Sequence, residues 1–241
     1  MKTKFLLLAT IALSLIFTSC EDFGNYVSPS DEVSTENRTV TGFRGIDVSH
    51  AFNVYVSFSD AVESVEIEAN SNLQQYIEVE TKDDMLVIKL KDRINIRGNA
   101  TLNAYISSDY LTDYMASGAS NIHLEDVLYA NSTSIELSGA SNFYGHIEAD
   151  KLISDISGAS NIDLTGNLDY LRLNASGAST IKDFDLSVNK FEADLSGASN
   201  AKLMVNDELD IEASGASNVY YKGQGVIVFQ DLSGASNIKK R

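Results

Sequence analysis

The string Ser-Gly-Ala-Ser stands seven times in this 241-residue chain, beginning at Ser117, Ser138, Ser157, Ser176, Ser196, Ser214 and Ser233. The copies lie 21, 19, 19, 20, 18 and 19 residues apart; six continue with Asn and the fourth with Thr180. Self-similarity at such a period marks a solenoid, in which one repeat is one coil that cannot bury its own apolar face and must stack on the next. The residue before each copy is always apolar (Ala116, Leu137, Ile156, Ala175, Leu195, Ala213, Leu232). So is the fifth residue after its first Ser (Ile122, Phe143, Ile162, Ile181, Ala201, Val219, Ile238). Five residues before the last five copies stand Leu152, Leu171, Phe191, Leu209 and Val228. These offsets are all odd, so on an extended chain they share one face. If the pleat runs through the motif, that parity turns its Gly and second Ser inward and its first Ser, Ala and Asn outward.

Coils stacked at roughly 4.8 Å place like residues above one another, and Ser and Asn in register can pass hydrogen bonds from rung to rung. No helical signature accompanies the repeat, and Pro29 is the only proline. Earlier segments also alternate as strands do: Phe52-x-Val54-x-Val56-x-Phe58, Leu86-x-Ile88-x-Leu90 and Leu102-x-Ala104-x-Ile106. Ile46, Val65, Leu86 and Ala104 are spaced by 19, 21 and 18 residues, which extends the coil length back to about residue 40. The expected fold is all-β: a single-stranded parallel β-helix (β-solenoid) of about 19-residue coils, right-handed. It occupies 39–241, with degenerate N-terminal coils over 39–110 and the Ser-Gly-Ala-Ser coils over 111–241.

Met1-Lys2-Thr3-Lys4 followed by an apolar run from Phe5 to Phe17 has the basic and apolar regions of a secretory signal peptide, expected over 1–19. The chain's single Cys, Cys20, follows Phe17-Thr18-Ser19 and resembles the lipidated Cys of a bacterial lipoprotein, with Phe17 where Leu is usual. The membrane is thus an expected partner through acyl chains on Cys20. Residues 20–38 are polar and aperiodic and read as a flexible tether. Glu21-Asp22 resembles the short acidic export signal of surface lipoproteins in Bacteroidetes-type bacteria, which points to the cell envelope, at the outer membrane and its surface.

Gly42-Phe43-Arg44-Gly45-Ile46-Asp47-Val48, Val54-x-Val56, Asn70-x-Asn72-Leu73, Leu86-x-Ile88 and the repeated Ser-Gly-Ala-Ser resemble the DUF2807 family. That family is described as an auto-transporter adhesin, head GIN domain, common among Bacteroidetes lipoproteins. The resemblance spans about 40–241, implies a β-helix-like fold, and brings no catalytic residues. The family's Pro near the end is missing from Tyr221-Lys222-Gly223-Gln224-Gly225.

With 34 acidic against 18 basic residues, the chain carries a net charge of −16. Nucleic acid is excluded as a partner, because phosphate binding needs clustered Lys and Arg. One Cys excludes an internal disulfide framework and a Cys-based zinc site. His50, His123 and His146 sit in unrelated contexts, and two His at offsets six and eight make a poor metal site without a third ligand. Asp83-Asp84 and Glu125-Asp126 read as solvated acidic pairs. Seven equivalent serines argue structure, because catalysis needs one distinguished site and no copy has a His or acid partner. No cofactor or metal is expected. Tyr144, Tyr170 and Tyr220 are the candidate surface contacts, as rings able to stack on sugars. The function expected is a lipid-anchored envelope adhesin or glycan- or protein-binding module without catalysis. The alternatives are a carbohydrate-active enzyme (lyase or hydrolase) on the same scaffold and a purely structural envelope component.

Overall fold

A computed structural model describes residues 25–59, 63–182 and 184–241; Cys20 and the apolar run before it lie outside them. Among the described residues, the strands preceding the repeats are β1 (Asn25–Val27), β2 (Val33–Arg38), β3 (Gly45–Val48), β4 (Asn53–Phe58), β5 (Ser64–Asn70), β6 (Ile77–Lys82), β7 (Met85–Leu90), β8 (Ile94–Ile96) and β9 (Leu102–Ser108). The repeat half adds β10 (Asp113–Ala116), β11 (Asn121–Leu137), β12 (Asn142–Ile156), β13 (Asn161–Ala175), β14 (Thr180–Lys182), β15 (Leu186–Leu195), β16 (Asn200–Ala213), β17 (Asn218–Lys222), β18 (Val226–Leu232) and β19 (Asn237–Lys240). The protein is a β-solenoid of parallel coils of about 19 residues.

Strands of successive repeats pair in parallel and in register. Asn121, Asn142 and Asn161 lie over one another, and so do Ile122, Phe143 and Ile162. The columns predicted to be apolar are the core: Ile122, Phe143, Ile162, Ile181, Ala201 and Val219 are fully buried, as are Leu152, Leu171 and Leu209. Burying each large aliphatic or aromatic side chain contributes roughly 1.5–3 kcal/mol, so the fold rests on these columns. Val228 departs from its column and is 59% exposed. A register shift between Leu209 and Asp210 makes β18 bulge there, and Ile227 takes the position opposite Leu209.

The pleat does not continue through Ser-Gly-Ala-Ser. The motif is a tight turn, with Gly exposed and the second Ser buried in every copy but the last, so the inward placement expected of Gly is corrected and that of the second Ser stands. The hydroxyls of Ser141, Ser179, Ser199 and Ser217 fold back on their own turns, Ser141 Oγ donating to the Ser138 carbonyl at 2.8 Å and Ser199 Oγ to that of Ser196 at 2.8 Å, whereas those of Ser120 and Ser160 find no partner among the described residues. Turns also bond to turns, since the Ala159 N–H donates to the Gly139 carbonyl at 2.7 Å and the Ala178 N–H to that of Gly158 at 2.7 Å. Gly is required because a Cβ on Gly158 would stand 2.3 Å from the Gly139 oxygen, on a residue whose φ is +73°.

The N-terminal coils are not stacked in chain order. β3 pairs with both β7 and β10, and β4 with both β9 and β11, all in parallel. The earlier coil β3–β4 therefore lies between the later strands β7 and β9 on one side and the repeats on the other. Beyond β9 the sheet closes with antiparallel strands, β5 on β9, β2 on β5, and β6 on β7. The spacing of Ile46, Val65, Leu86 and Ala104 is not one column: Ile46 pairs with Leu86, but Val65 faces Ile106 across an antiparallel ladder. The segment read as a tether carries structure in its described part, β1 pairing with β8 and β2 with β5. Gln74 knits this end together: its amide donates to the carbonyls of Ser34 (2.9 Å) and Ile67 (3.0 Å) and accepts from Arg38 at 2.7 Å.

Candidate ligand-binding groove

Two outward columns run beside the turns on one face. The first is an amide ladder in which the side-chain N–H of Asn121 donates to Asn53, that of Asn142 to Asn121 and that of Asn161 to Asn142, at 2.8–2.9 Å. The second, two residues on, is an aromatic row. Tyr55 stacks on Tyr105 at 5.3 Å and on His123 at 5.2 Å, and His123 stacks on Tyr144 at 4.7 Å. Burial lowers the His123 pKa below its usual value, with nearby Glu125 opposing the shift. Rings one rung apart cover each other's faces, so this row offers edges and hydroxyls to solvent rather than a platform on which a sugar could lie.

The three tyrosines singled out by sequence are not brought together. Tyr144 ends the stacked row. Tyr220 shares its column, but Asp163, Lys182 and Lys202 stand between them, and the Arg241 guanidinium lies 4.9 Å over its ring. Tyr170 projects elsewhere, with the Lys151 ammonium 5.7 Å over its ring and its hydroxyl donating to Glu192. Burial and that carboxylate raise its pKa. His146 bonds Thr165 and Glu148 and is cut off from His123 by a register shift in β11. Asp83 and Asp84 form the left-handed turn between β6 and β7, and Asp126 accepts from the Phe58 N–H at 3.0 Å. Among the described residues no cluster of three or more His, Cys, Asp or Glu could hold a metal.

What the structure does assemble is a groove of about 630 Å³ along the corner opposite the Ser-Gly-Ala-Ser turns. Its floor is made of small or apolar corner residues, Ala130, Ala149 and Leu168, one per rung. Glu148, Asn167 and Ser187 form one wall, following Tyr129 in register, and Asn131, Asp150, Asp169, Asn189 and Asn206 form the other. The polar walls are tied from rung to rung. The Asn167 amide donates to Glu148 at 3.0 and 3.2 Å, that of Asn189 to Asp169 at 2.9 Å, and that of Asn206 to Ser187 at 3.1 Å. Tyr110 and Tyr129 close one end; Tyr129 is 71% exposed. A second groove of about 530 Å³ follows the first serines of the motif and the Glu136 and Asp155 column, with no aromatic residue in its lining.

The model of the family described as "Putative auto-transporter adhesin, head GIN domain" matches residues 42–225. The chain belongs to the DUF2807 family. Solved structures share the fold of this DUF2807 chain at low identity. A "putative adhesin" from Bacteroides fragilis superposes with a TM-score of 0.82 at 24% identity, covering 89% of this chain and all of that one. A "putative lipid binding protein" from Parabacteroides distasonis gives 0.75 at 17%, covering 90% and 100%, and a "putative adhesin" from Parabacteroides merdae 0.75 at 18%, with the same coverage. No curated protein matches the chain.

In this DUF2807 domain the groove was hidden from sequence by a local insertion. The coil from Ser117 to Ser138 is 21 residues long where the next is 19, so Tyr129 stands twelve residues after its motif but its neighbour Glu148 only ten. Counting from the motif separates residues that the ladder stacks. Chemically, Asn167 and Asn206 direct their N–H groups along the ladder and Asn189 directs one of its two, so the walls present mainly carboxylate and carbonyl oxygens as acceptors toward the groove. Such a site takes a ligand rich in hydroxyl donors, with an apolar face for an exposed ring.

Proposed function

We propose that this DUF2807 chain is a non-catalytic adhesion module of the cell envelope that holds carbohydrate in the groove running from Tyr129 to Asn206. The observation that carries the reading is the pairing, in one groove, of an exposed aromatic ring with acceptors held in place by rung-to-rung bonds. Membership of an adhesin family and an adhesin-described structural neighbour support it. The lipid-binding description of one neighbour is less well matched, because carboxylates line both walls here. Beads coated with the full chain should be retained on immobilised mucin and released when the mucin is deglycosylated. Equal retention on stripped and intact mucin sinks the reading. Reducing ends released from polysaccharide by the chain would overturn its non-catalytic part.

The attachment proposed is acylation of Cys20 after removal of residues 1–19, with the outer membrane as its place, on the strength of the lipoprotein-like Phe17-Thr18-Ser19-Cys20. Radiolabelled palmitate should enter the wild-type chain and not Cys20→Ser. Equal incorporation in both refutes the anchor.

A further inference from the structure

We infer that the groove takes a neutral, extended, β-1,4-linked glycan lying along the solenoid axis with one sugar per rung; the inference rests on the adhesion reading above and makes it specific. Three features converge on this ligand. The first is pitch. The walls repeat with the strand spacing of roughly 4.8 Å, and an extended β-1,4-linked chain advances by about one such spacing per sugar. Tyr129, Glu148, Asn167 and Ser187 stand in register on four successive rungs, and Asn206 of the opposite wall bonds Ser187 from the fifth, so about five sugars fit before the groove ends.

The second feature is the two-sidedness of the walls. In a β-1,4-linked chain each sugar is turned over relative to the last, so its hydroxyls alternate between sides. Acceptors stand on both sides here, with Glu148 on one wall and Asp150 and Asp169 on the other. The third is sign. Glu148, Asp150 and Asp169 accept from hydroxyls but repel carboxylate or sulfate groups, which removes uronates and sulfated glycans. An α-1,4-linked chain curls and loses the pitch after a few rungs. The Tyr129 ring, 71% exposed at the groove mouth, supplies the stacking surface for the terminal sugar.

Titration of the full chain with cello-oligosaccharides of two to six sugars tests this, with maltohexaose and a β-1,4-linked oligomannuronate as controls. Affinity should rise at least tenfold from two sugars to five and level off at six. Both controls should bind at least tenfold more weakly than cellohexaose. Tyr129→Ala should lose tenfold or more, while Tyr129→Phe, which keeps the ring, should stay within about twofold; the exposure of Tyr129 lets both variants fold, and a matching denaturation midpoint verifies it. Binding that ignores chain length, favours either control or survives Tyr129→Ala overturns the inference, as does the failure of every cello-oligosaccharide to bind. Mucin retention that persists alongside such a failure leaves the adhesion reading intact and overturns the groove ligand alone. Oligosaccharide binding as expected without retention on mucin upholds carbohydrate in the groove and overturns adhesion to mucin alone.

Discussion

Gly158 holds the turn of its coil against the turn beneath, and its lack of a side chain is what permits the 2.7 Å bond between the Ala159 N–H and the Gly139 carbonyl. Gly158→Ala should cost about 2–4 kcal/mol, from a left-handed backbone and a forced separation of two turns. Gly42 has a similar φ of +77°, but a methyl group there would meet nothing within 4 Å, so Gly42→Ala should cost only about 1–2 kcal/mol. Urea denaturation compares the two, and equal losses would mean that rung contact is not what selects Gly. His123 carries a second residue-scale effect. Burial in the aromatic row lowers its pKa from the usual 6.5, so the unfolded chain takes up the proton first. The stability it lends is fully present above about pH 6.5 and declines as pH falls below it. His123→Phe should keep the stacking and flatten the fall in Tm between pH 7 and pH 5; an unchanged slope would show that the acid sensitivity lies elsewhere.

The amide ladder breaks at Thr180, the one motif copy without Asn. Asn200, which would donate to this rung, donates instead to its local Ala198 carbonyl at 3.0 Å, while Asn161 still donates to Asn142 and Asn218 resumes the ladder on Asn200. Thr180→Asn should join the two ladders and stabilise the protein by about 0.5–1.5 kcal/mol, raising the denaturation midpoint. A lower midpoint would show that the ladder does not extend through this rung. At this scale the repeat made much of the fold legible, because identical residues at a fixed period must stack and alternation names the buried columns. It could not show that the motif itself is a corner, since a turn resets the parity on which the inward Gly depended. Nor does a period name partners. Ile46 and Val65 both point inward, yet one joins a parallel and the other an antiparallel ladder. The groove was lost for a related reason: the two extra residues of the first full coil shift Tyr129 out of the count that would have aligned it with Glu148.

Across the molecule the charge of −16 is laid out in lines as well as scattered. Glu136 and Asp155 are neighbours in register, as are Asp194, Glu212 and Asp231 further along the same column, with Asn174 between the two groups. Like charges on adjacent rungs repel, and Asn174 relieves one contact by donating to Asp155 at 2.6 Å. Raising NaCl from 50 to 500 mM should therefore raise Tm, because the repulsion is screened at short range; a Tm that falls with salt would mean that ion pairs outweigh the column. The intercalated N-terminal coil bears on something other than equilibrium. Were the coils laid down in chain order, a pull on the N-terminal side would peel them off one edge at a time. Here β3 and β4 are gripped on both edges, by β7 and β9 on one side and by β10 and β11 on the other. Once β1 and β2 have come away, the tension must drag a strand lengthwise out of two ladders at once, shearing their bonds together instead of unzipping them. The fold resists traction at the end where chain order alone would have left it weakest.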